Sequence, residues 1–463
     1  MTDYSAIKEC DIRGVCPDAV DVPLLMLAGR NLAAQMTARA FAGTGASTVV
    51  VGGDGRRSTP MLRGALVQGL VANGASVFEV PGPLPSPALY WAREALAAQA
   101  VAIVTASHSP PQWNGLKLMN GPLPPTPDEV RELANESPAL GRGAGRAHRL
   151  DGVLDCYRAA RMMPWTARGL AGFAVAVDAG GGCQSGVAAR VFADLGARVH
   201  ALHDRLDPDF RERHPDCAIP AHLTALCAAT PACGAALGVA FDGDGDRLAV
   251  IDDRGRHVPP EKVAMLLVDG PLAFAPGDVL IIDVKASMQL ERAVEKRGGR
   301  ALRVKSGHAY MKRAVMENHA VLGTEVSGHH FFGALHGIDD PLHGALMLAS
   351  WLAESGVPLS ERIDALPVFH LSPDLRLRIA ADEIDALIKS LPEHFPDATV
   401  SRTDGVRLVW PEGWLLARRS ITEAACTLRF EGVDAAALAS IRARFVAAYP
   451  ALRAAVEDAT GKF

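Results

Sequence analysis

The 463-residue chain has no apolar run long enough for a secretory leader or a membrane-spanning helix. Its first residues include Asp3, Lys8, Glu9, Asp11 and Arg13, so a cytoplasmic location and no membrane partner are expected. None of the eight cysteines forms a C-x-x-C pair, which argues against zinc clusters and thioredoxin chemistry and for reduced thiols. There is no surplus of positive charge. Lys and Arg number 47 against 52 Asp and Glu, a net −5, so nucleic acid is not an expected partner. An anionic ligand would need a locally basic cleft. The glycine-rich loop Gly52–Thr59 lacks the Gly-Lys of a P-loop, and the loop Asp178–Gly186 has Ser185 where the last glycine of G-x-G-x-x-G belongs. Both read as strand-to-helix turns.

A hydrophobic share of 49% with 21% charged residues describes a globular chain, and its length suggests three or four domains. One pattern occurs three times: a short apolar strand, a polar or glycine-rich turn, an amphipathic helix, a glycine and a second strand. The copies run from Thr48 to Val77, from Ala174 to Val199 and from Val279 to Leu302. Continuous apolar strands alternating with helices predict mostly parallel sheets covered on both faces. After Leu366-Pro367 the pattern changes to strands at Leu375–Ile379, Val406–Trp410 and Thr427–Phe430, with helices near Glu383–Leu391 and at Ala435–Ala448. The expected architecture is three related α/β domains, with mixed but mostly parallel sheets, and a C-terminal α+β domain. With breaks at Gly141–Gly145, Asp252–Gly255 and Leu366-Pro367, the expected domains are 1–150, 151–255, 256–368 and 369–463.

The sharpest local feature is Phe241-Asp242-Gly243-Asp244-Gly245-Asp246-Arg247. Three carboxylates at alternate positions converge on one hard cation if the chain curls, and the two glycines permit that curl. An EF-hand would need Gly at Arg247 and Glu at Asp253, and helical rather than strand-like flanks. A cation-free acidic turn would leave three like charges repelling each other. The second feature is the segment 105–117, Thr-Ala-Ser-His-Ser-Pro-Pro-Gln-Trp-Asn-Gly-Leu-Lys, which follows the apolar strand Val101–Val104. Ser107 is thereby placed at the C-terminal end of a strand, where ligands bind in open α/β sheets. It could be a nucleophile with His108 or Lys117 near it, and it is not in the G-x-S-x-G setting of a hydrolase. Other candidates are Arg247, Lys285, Lys305 and His308 near strand ends. The segment 324–330 offers a carboxylate and a hydroxyl suited to sugar hydroxyls, and the segment 418–422 offers donors suited to phosphate.

Together these motifs resemble the bacterial phosphomannomutase/phosphoglucomutase group of the α-D-phosphohexomutase superfamily, over essentially the whole chain. Cys10-Asp11-Ile12-Arg13-Gly14 resembles its Y-D-I-R-G, residues 105–117 its phosphoserine loop, and residues 242–247 its metal loop. Glu325 and Ser327 match its sugar loop; Arg418, Ser420 and Thr422 match its phosphate loop. The resemblance implies four domains around one central cleft and interconversion of hexose 1- and 6-phosphates, of mannose, glucose or both. Ser107 would carry the phosphoryl group, Mg²⁺ would be held by Asp242, Asp244, Asp246 and a phosphoserine oxygen, and a hexose 1,6-bisphosphate would be the intermediate and activator. Arg13, Lys117, Arg247, His308 and His329 would supply positive charge and proton transfer, with Lys285 and Lys305 joining at the substrate. A monomer is implied.

The departures are Cys10 for Tyr, Ser109 for Asn, Thr324 for Gly, Val326 for Met, Ile421 for Asn or Gly, and Ala424 for Pro. They bear on substrate preference more than on reaction class. Val326 argues against a phosphoglucosamine mutase, which has a polar residue there. A non-catalytic sugar-phosphate binder would have little need of Ser107, three Asp and Lys117 together. An aspartyl phosphatase would not continue its motif into Gly-Asp-Arg.

Overall fold

Each of the three strand–helix–strand segments forms a parallel crossover in a computed structural model of the chain, which describes residues 4–39, 47–136, 145–420 and 425–460, with side chains to 457. Thr48–Gly53 lies parallel to Ser76–Pro83 across the helix Thr59–Ala72. Ala174–Asp178 lies parallel to Arg198–Leu202 across Ala188–Asp194. Val279–Asp283 lies parallel to Arg300–Val304 across Met288–Lys296. The first strand of each is apolar because it is covered on both faces: Val49, Val50, Val51, Val175, Val177, Leu280 and Ile281 are all fully buried.

The first sheet has the order Ile12–Val15, Trp113–Asn120, Ala100–Val104, Thr48–Gly53, Ser76–Pro83, Arg146–Arg149. Its core is parallel, but Trp113–Asn120 runs antiparallel to both of its neighbours. Lys117, read from sequence as the end of a loop, therefore sits on a strand. A Cβ on Gly115 would come 1.9 Å from the Ile12 carbonyl oxygen, so this close strand approach requires glycine. The helix Val22–Ala38, not anticipated from sequence, starts where the Asp21 side chain accepts a hydrogen bond from Leu24 N. It buries Leu25, Ala28 and Leu32 on the same side as Leu62, Leu66 and Leu70 of Thr59–Ala72. Each such leucine, fully buried, contributes roughly 1.5–3 kcal/mol.

The second sheet has the order His257–Val258, Leu248–Asp252, Leu237–Phe241, Ala174–Asp178, Arg198–Leu202. Leu237–Phe241 and Leu248–Asp252 form an antiparallel hairpin whose connection is the Asp242–Arg247 segment.

The chain divides into two compact units, residues 1–273 with 307–363, and residues 274–306 with 364–463. The first also contains the short antiparallel strands Leu322–Thr324, His330–Phe332 and Ile338–Asp339. The second contains the Val279–Val304 crossover and an antiparallel sheet, His370–Leu371, Cys426–Gly432, Gly413–Arg419, Val406–Trp410, Thr399–Ser401. Helices Ala381–His394 and Ala435–Ala448 pack on this sheet through Leu387, Leu391 and Phe445. Most of the expected break at Gly141–Gly145, residues 141–144, lies outside the described residues; the strand Arg146–Arg149 still belongs to the first sheet. Among the described residues no helix is long and apolar enough to cross a membrane.

Candidate active site

Ser107 stands just beyond the strand Ala100–Val104, with a left-handed φ of 50°. That conformation is rare for a side chain bearing a Cβ, and several groups hold it. Thr105 Oγ1 accepts from Ser107 N at 2.8 Å, and Thr105 Oγ1 donates to Asp54 Oδ2 at 2.7 Å. Ser107 is 1% exposed. Its Oγ donates to Asp242 Oδ2 at 2.7 Å and lies 3.2 Å from His108 Nδ1. Burial, with Arg247 and Arg13 nearby, pushes the His108 pKa well down, so this imidazole is neutral.

Asp242, Asp244 and Asp246 are buried and offer oxygens within 4.8 Å of one another. Gly245 takes φ 74°, which folds the loop so that Asp242 Oδ1 accepts from Asp246 N at 3.0 Å and Arg247 N at 3.2 Å. Burial first, and then Asp246 and Asp244, push the Asp242 pKa up to about 7. Asp246 is raised by burial and by Asp244. Burial would also raise Asp244, but Lys117 and a hydrogen bond from Ser86 hold it below the usual carboxylate range. The Lys117 ammonium lies 2.8 Å from Asp244 Oδ2 and 2.5 Å from Asp246 Oδ2. Burial opposes its charge, yet the three aspartates raise its pKa well above the usual lysine value. Asp244 Oδ1 and Asp246 Oδ1 are buried without a hydrogen-bond partner. Unpartnered carboxylate oxygens facing like charges fit a hard divalent cation.

Two further cations flank this loop. Arg247 Nε donates to His329 Nε2 at 3.1 Å, and its Nη1 lies 3.4 Å from Asp216 Oδ1. His329 Nδ1 lies 3.0 Å from Asp339 Oδ2 and 3.6 Å from Asp246 Oδ1. Burial disfavours a charge on this ring, but Asp246 and Asp339 outweigh it and raise its pKa. Protonation at Nε2 requires the Arg247 N–H to turn away, so the two groups share one position for a proton. Arg13 Nη2 meets Asp11 Oδ2 at 2.5 Å, and His308 Nε2 is 3.9 Å from the same oxygen. Burial, with Lys117 nearby, pushes the His308 pKa down to about 4. This favours the uncharged form of the His308 ring at neutral pH.

In the sugar-loop segment, Glu325 Oε1 accepts from Ser327 Oγ at 2.7 Å and its Oε2 from Gly307 N at 3.2 Å. Gly328, at φ 93°, accepts from Leu248 N at 2.9 Å through its carbonyl, which ties this loop to the strand after the acidic one. The remaining candidates lie in the second unit. Arg418 Nε is 2.7 Å from Asp404 Oδ2, Ser420 Oγ accepts from Arg376 Nη1 at 2.9 Å, and Lys285 Nζ is 3.2 Å from Asp374 Oδ2. Lys305 follows the strand Arg300–Val304. Thr422, with Ile421 and Ala424, lies outside the described residues.

Sequence reasoning passed over Ser86, Asp216 and Asp339 and gave Asp11 no role beyond its motif, yet each is in contact with a candidate side chain. It also assigned both glycine-rich loops to simple turns. They are turns, but they brace the site. Cys183 N donates to the Gly243 carbonyl at 2.9 Å and Gln184 Nε2 to the Gly245 carbonyl at 3.2 Å. The Asp54 and Arg56 side chains reach the Ser107 loop. Only the Asp-Arg spacing in Asp54-Gly55-Arg56 hints at this in the sequence.

Comparison with known proteins places these motifs in a wider set. The chain matches the models of phosphoglucomutase/phosphomannomutase alpha/beta/alpha domain I over residues 5–139, domain II over 157–255 and domain III over 259–369. It is 32% identical over 432 residues to a phosphomannomutase/phosphoglucomutase of Pseudomonas aeruginosa, covering 92% of this chain and 91% of that one. It is also 32% identical over 447 residues to a phosphoglucosamine mutase of Moorella thermoacetica, covering 93% and 96%. The crystal structure of a phosphoglucomutase/phosphomannomutase family protein from Burkholderia thailandensis matches with TM-score 0.87 and 33% identity, over 99% of this chain and 98% of that one.

Proposed function

The chain belongs to the phosphoglucomutase/phosphomannomutase family of the α-D-phosphohexomutase superfamily and is a phosphohexomutase; from that premise we propose that it moves a phosphoryl group between O1 and O6 of mannose and glucose phosphates by way of Ser107. The observation that carries this reading is the Ser107 hydroxyl, hydrogen-bonded to Asp242 at the C-terminal ends of two sheets. In the resting enzyme Ser107 Oγ carries the phosphoryl group. In the first half-reaction the P–Oγ bond breaks with its electron pair staying on Ser107 Oγ, a bond forms from phosphorus to the free O6 or O1, and the proton of that sugar hydroxyl is passed on so that Ser107 Oγ ends protonated. The resulting 1,6-bisphosphate turns around, and the other phosphoryl group returns to Oγ. Asp242, Asp244, Asp246 and a phosphoserine oxygen would hold Mg²⁺, which would supply charge compensation.

Lys117, paired with Asp244 and Asp246, supplies positive charge beside the acidic loop. His329 is the proton carrier, with Nδ1 oriented by Asp339 and Nε2 facing Arg247. His308 is a neutral acceptor beside Asp11, and Arg13 and Arg247 meet the transferring phosphoryl oxygens. Glu325 and Ser327 bind O3 and O4. These atoms have the same configuration in glucose and mannose, so this loop accepts either sugar, and both are substrates where nothing else reads C2. Arg418, Ser420 and Thr422 hold the phosphate that is not being transferred, with Lys285 and Lys305 beside the substrate. The domains are 1–150, 151–255, 256–368 and 369–463, and the enzyme is a cytoplasmic monomer without nucleic-acid or membrane partners.

The test is ³¹P NMR of the purified protein with Mg²⁺ and a trace of hexose 1,6-bisphosphate, given glucose, mannose or glucosamine 1-phosphate separately. Conversion of the first two to 6-phosphates supports the reading. Conversion of glucosamine 1-phosphate alone would replace it with the phosphoglucosamine mutase reading, and Ser107→Ala with normal turnover would overturn the phosphoserine.

A further inference from the structure

The Arg56 guanidinium has five N–H hydrogens, and the structure shows five acceptors for them. Nε donates to Asp54 Oδ2 at 2.9 Å. Nη1 donates to the carbonyls of Pro110 at 2.6 Å and Trp113 at 3.1 Å. Nη2 donates to the carbonyls of Ser107 and Ser109, each at 2.7 Å. Arg56 is 1% exposed, and its far side is covered by the Phe210 ring, 5.3 Å from Cζ. Four carbonyls spread over seven residues of the serine loop thus converge on one side chain. One of them is the carbonyl of Ser107 itself, whose φ is left-handed. Asp54 fixes the guanidinium in turn. Its Oδ1 accepts from Arg56 N at 3.1 Å and Thr59 Oγ1 at 2.7 Å, and its Oδ2 accepts from Thr105 Oγ1 at 2.7 Å.

The second sheet repeats the arrangement. Asp178 ends the strand Ala174–Asp178, as Asp54 follows Thr48–Gly53. Asp178 Oδ1 is 3.1 Å from Arg213 Nε, and Arg213 Nη2 donates to the carbonyl of Phe241, the residue before Asp242. In both sheets a strand-end aspartate and a buried arginine brace the loop that leaves the neighbouring parallel strand.

We propose that Arg56, oriented by Asp54, is a positioning residue for phosphoryl transfer: it shapes the serine loop so that Ser107 Oγ points at Asp242 and the metal loop. The inference rests on Ser107 being the phosphoryl carrier. Lysine cannot replace Arg56, because three donors from one point cannot serve five acceptors lying around a planar fork. A nucleophile displaced by about 1 Å loses about 10²-fold in rate, whereas sugar and phosphate binding by other loops is untouched.

The test compares wild type, Arg56→Lys, Asp54→Asn and Ser107→Ala by steady-state kinetics on glucose 1-phosphate, with thermal unfolding of each. Arg56→Lys is expected to lower kcat about 10²-fold with KM changed by less than about threefold, and to slow phosphorylation of Ser107 by hexose 1,6-bisphosphate to the same degree. Asp54→Asn, which keeps the side-chain shape, is expected to lower kcat about tenfold with the same KM pattern. In Arg56→Ala, guanidinium ion added well below denaturing concentration is expected to restore part of kcat. A folded Arg56→Lys or Asp54→Asn with wild-type kcat overturns the inference, as does a loss that merely tracks the unfolded fraction. If Ser107→Ala is itself active, it is the phosphoserine reading that fails. If Ser107→Ala is inactive and the Arg56 and Asp54 variants are normal, only the positioning role falls.

Discussion

The hydroxyl of Ser107 and the carboxylate of Asp242 meet at 2.7 Å across 135 positions of sequence, one at the end of the first sheet and the other at the end of the second. On the proposed reading this contact joins the phosphoryl carrier to the candidate cation site.

Asp242→Asn is expected to stabilise the metal-free protein while impairing transfer. The Asp242 pKa is raised from 3.8 to about 7, so above pH 7 the folded state holds an ionised group it disfavours. Removing that charge relieves a few kcal/mol by linkage, an order-of-magnitude figure. Thermal unfolding in excess chelator at pH 8 should show a higher Tm for the variant, with Mg²⁺ giving it a smaller upward shift than wild type. A lower Tm in chelator would contradict the charge-repulsion account.

Lys117→Met leaves Asp244 and Asp246 without their shared cation. Breaking a buried ion pair by removing one partner costs about 3–5 kcal/mol. The expected outcome is a marked fall in Tm without metal, partly restored by Mg²⁺, and a kcat reduced by at least about 10²-fold. Near-normal kcat at saturating Mg²⁺ would remove Lys117 from the catalytic set.

Glu325→Gln and Ser327→Ala should raise KM about tenfold for both glucose 1-phosphate and mannose 1-phosphate, because on the proposed reading each loses a hydrogen bond to sugar hydroxyls. Equal effects on the two sugars are the informative result. A loss confined to one epimer would mean that this loop reads C2.

Acid should destabilise the fold through its buried histidines, against an opposite contribution from Asp242, which takes up a proton in the folded state below about pH 7. Burial pushes His330 down to about 3 and His343 to about 4, from 6.5. Between those values and 6.5 the unfolded chain binds protons that the folded chain does not, so stability falls as pH drops below about 6.5, by up to ~1.4 kcal/mol per pH unit per histidine. Urea unfolding at pH 7, 6 and 5 measures it, and His343→Gln should flatten the slope. An unchanged slope would mean that another group takes up the proton.

Much of the site was legible because its chemistry is local. The alternate aspartates 242, 244 and 246 occupy one turn, and Ser107 follows an unbroken apolar strand, Ala100–Val104. The three crossovers were legible for a similar reason, since runs such as Val49–Val51 and Leu280–Ile282 state their burial directly. Strands of two or three residues, Leu322–Thr324, His330–Phe332 and Ile338–Asp339, are too short to show a period. Ser86 could not be found, because its role is a hydrogen bond to Asp244 across 158 positions. Asp339 and Asp216 escaped for the same reason: neither stands in a motif, and each matters only by touching His329 or Arg247.

By itself, the sequence determined the reaction class, because the order of donors along the serine, acidic, sugar and phosphate loops is a property of covalent neighbours. Only the tertiary structure decided the charge each group bears. Lys117 became the cation beside the acidic loop by landing on a strand that faces Asp244 and Asp246, and burial near Lys117 favours the uncharged form of His308. Arg56 left an ordinary-looking turn to gather the carbonyls of the serine loop. Protonation and orientation depend on desolvation and on partners far away in the chain, and neither is written in the spacing of adjacent residues.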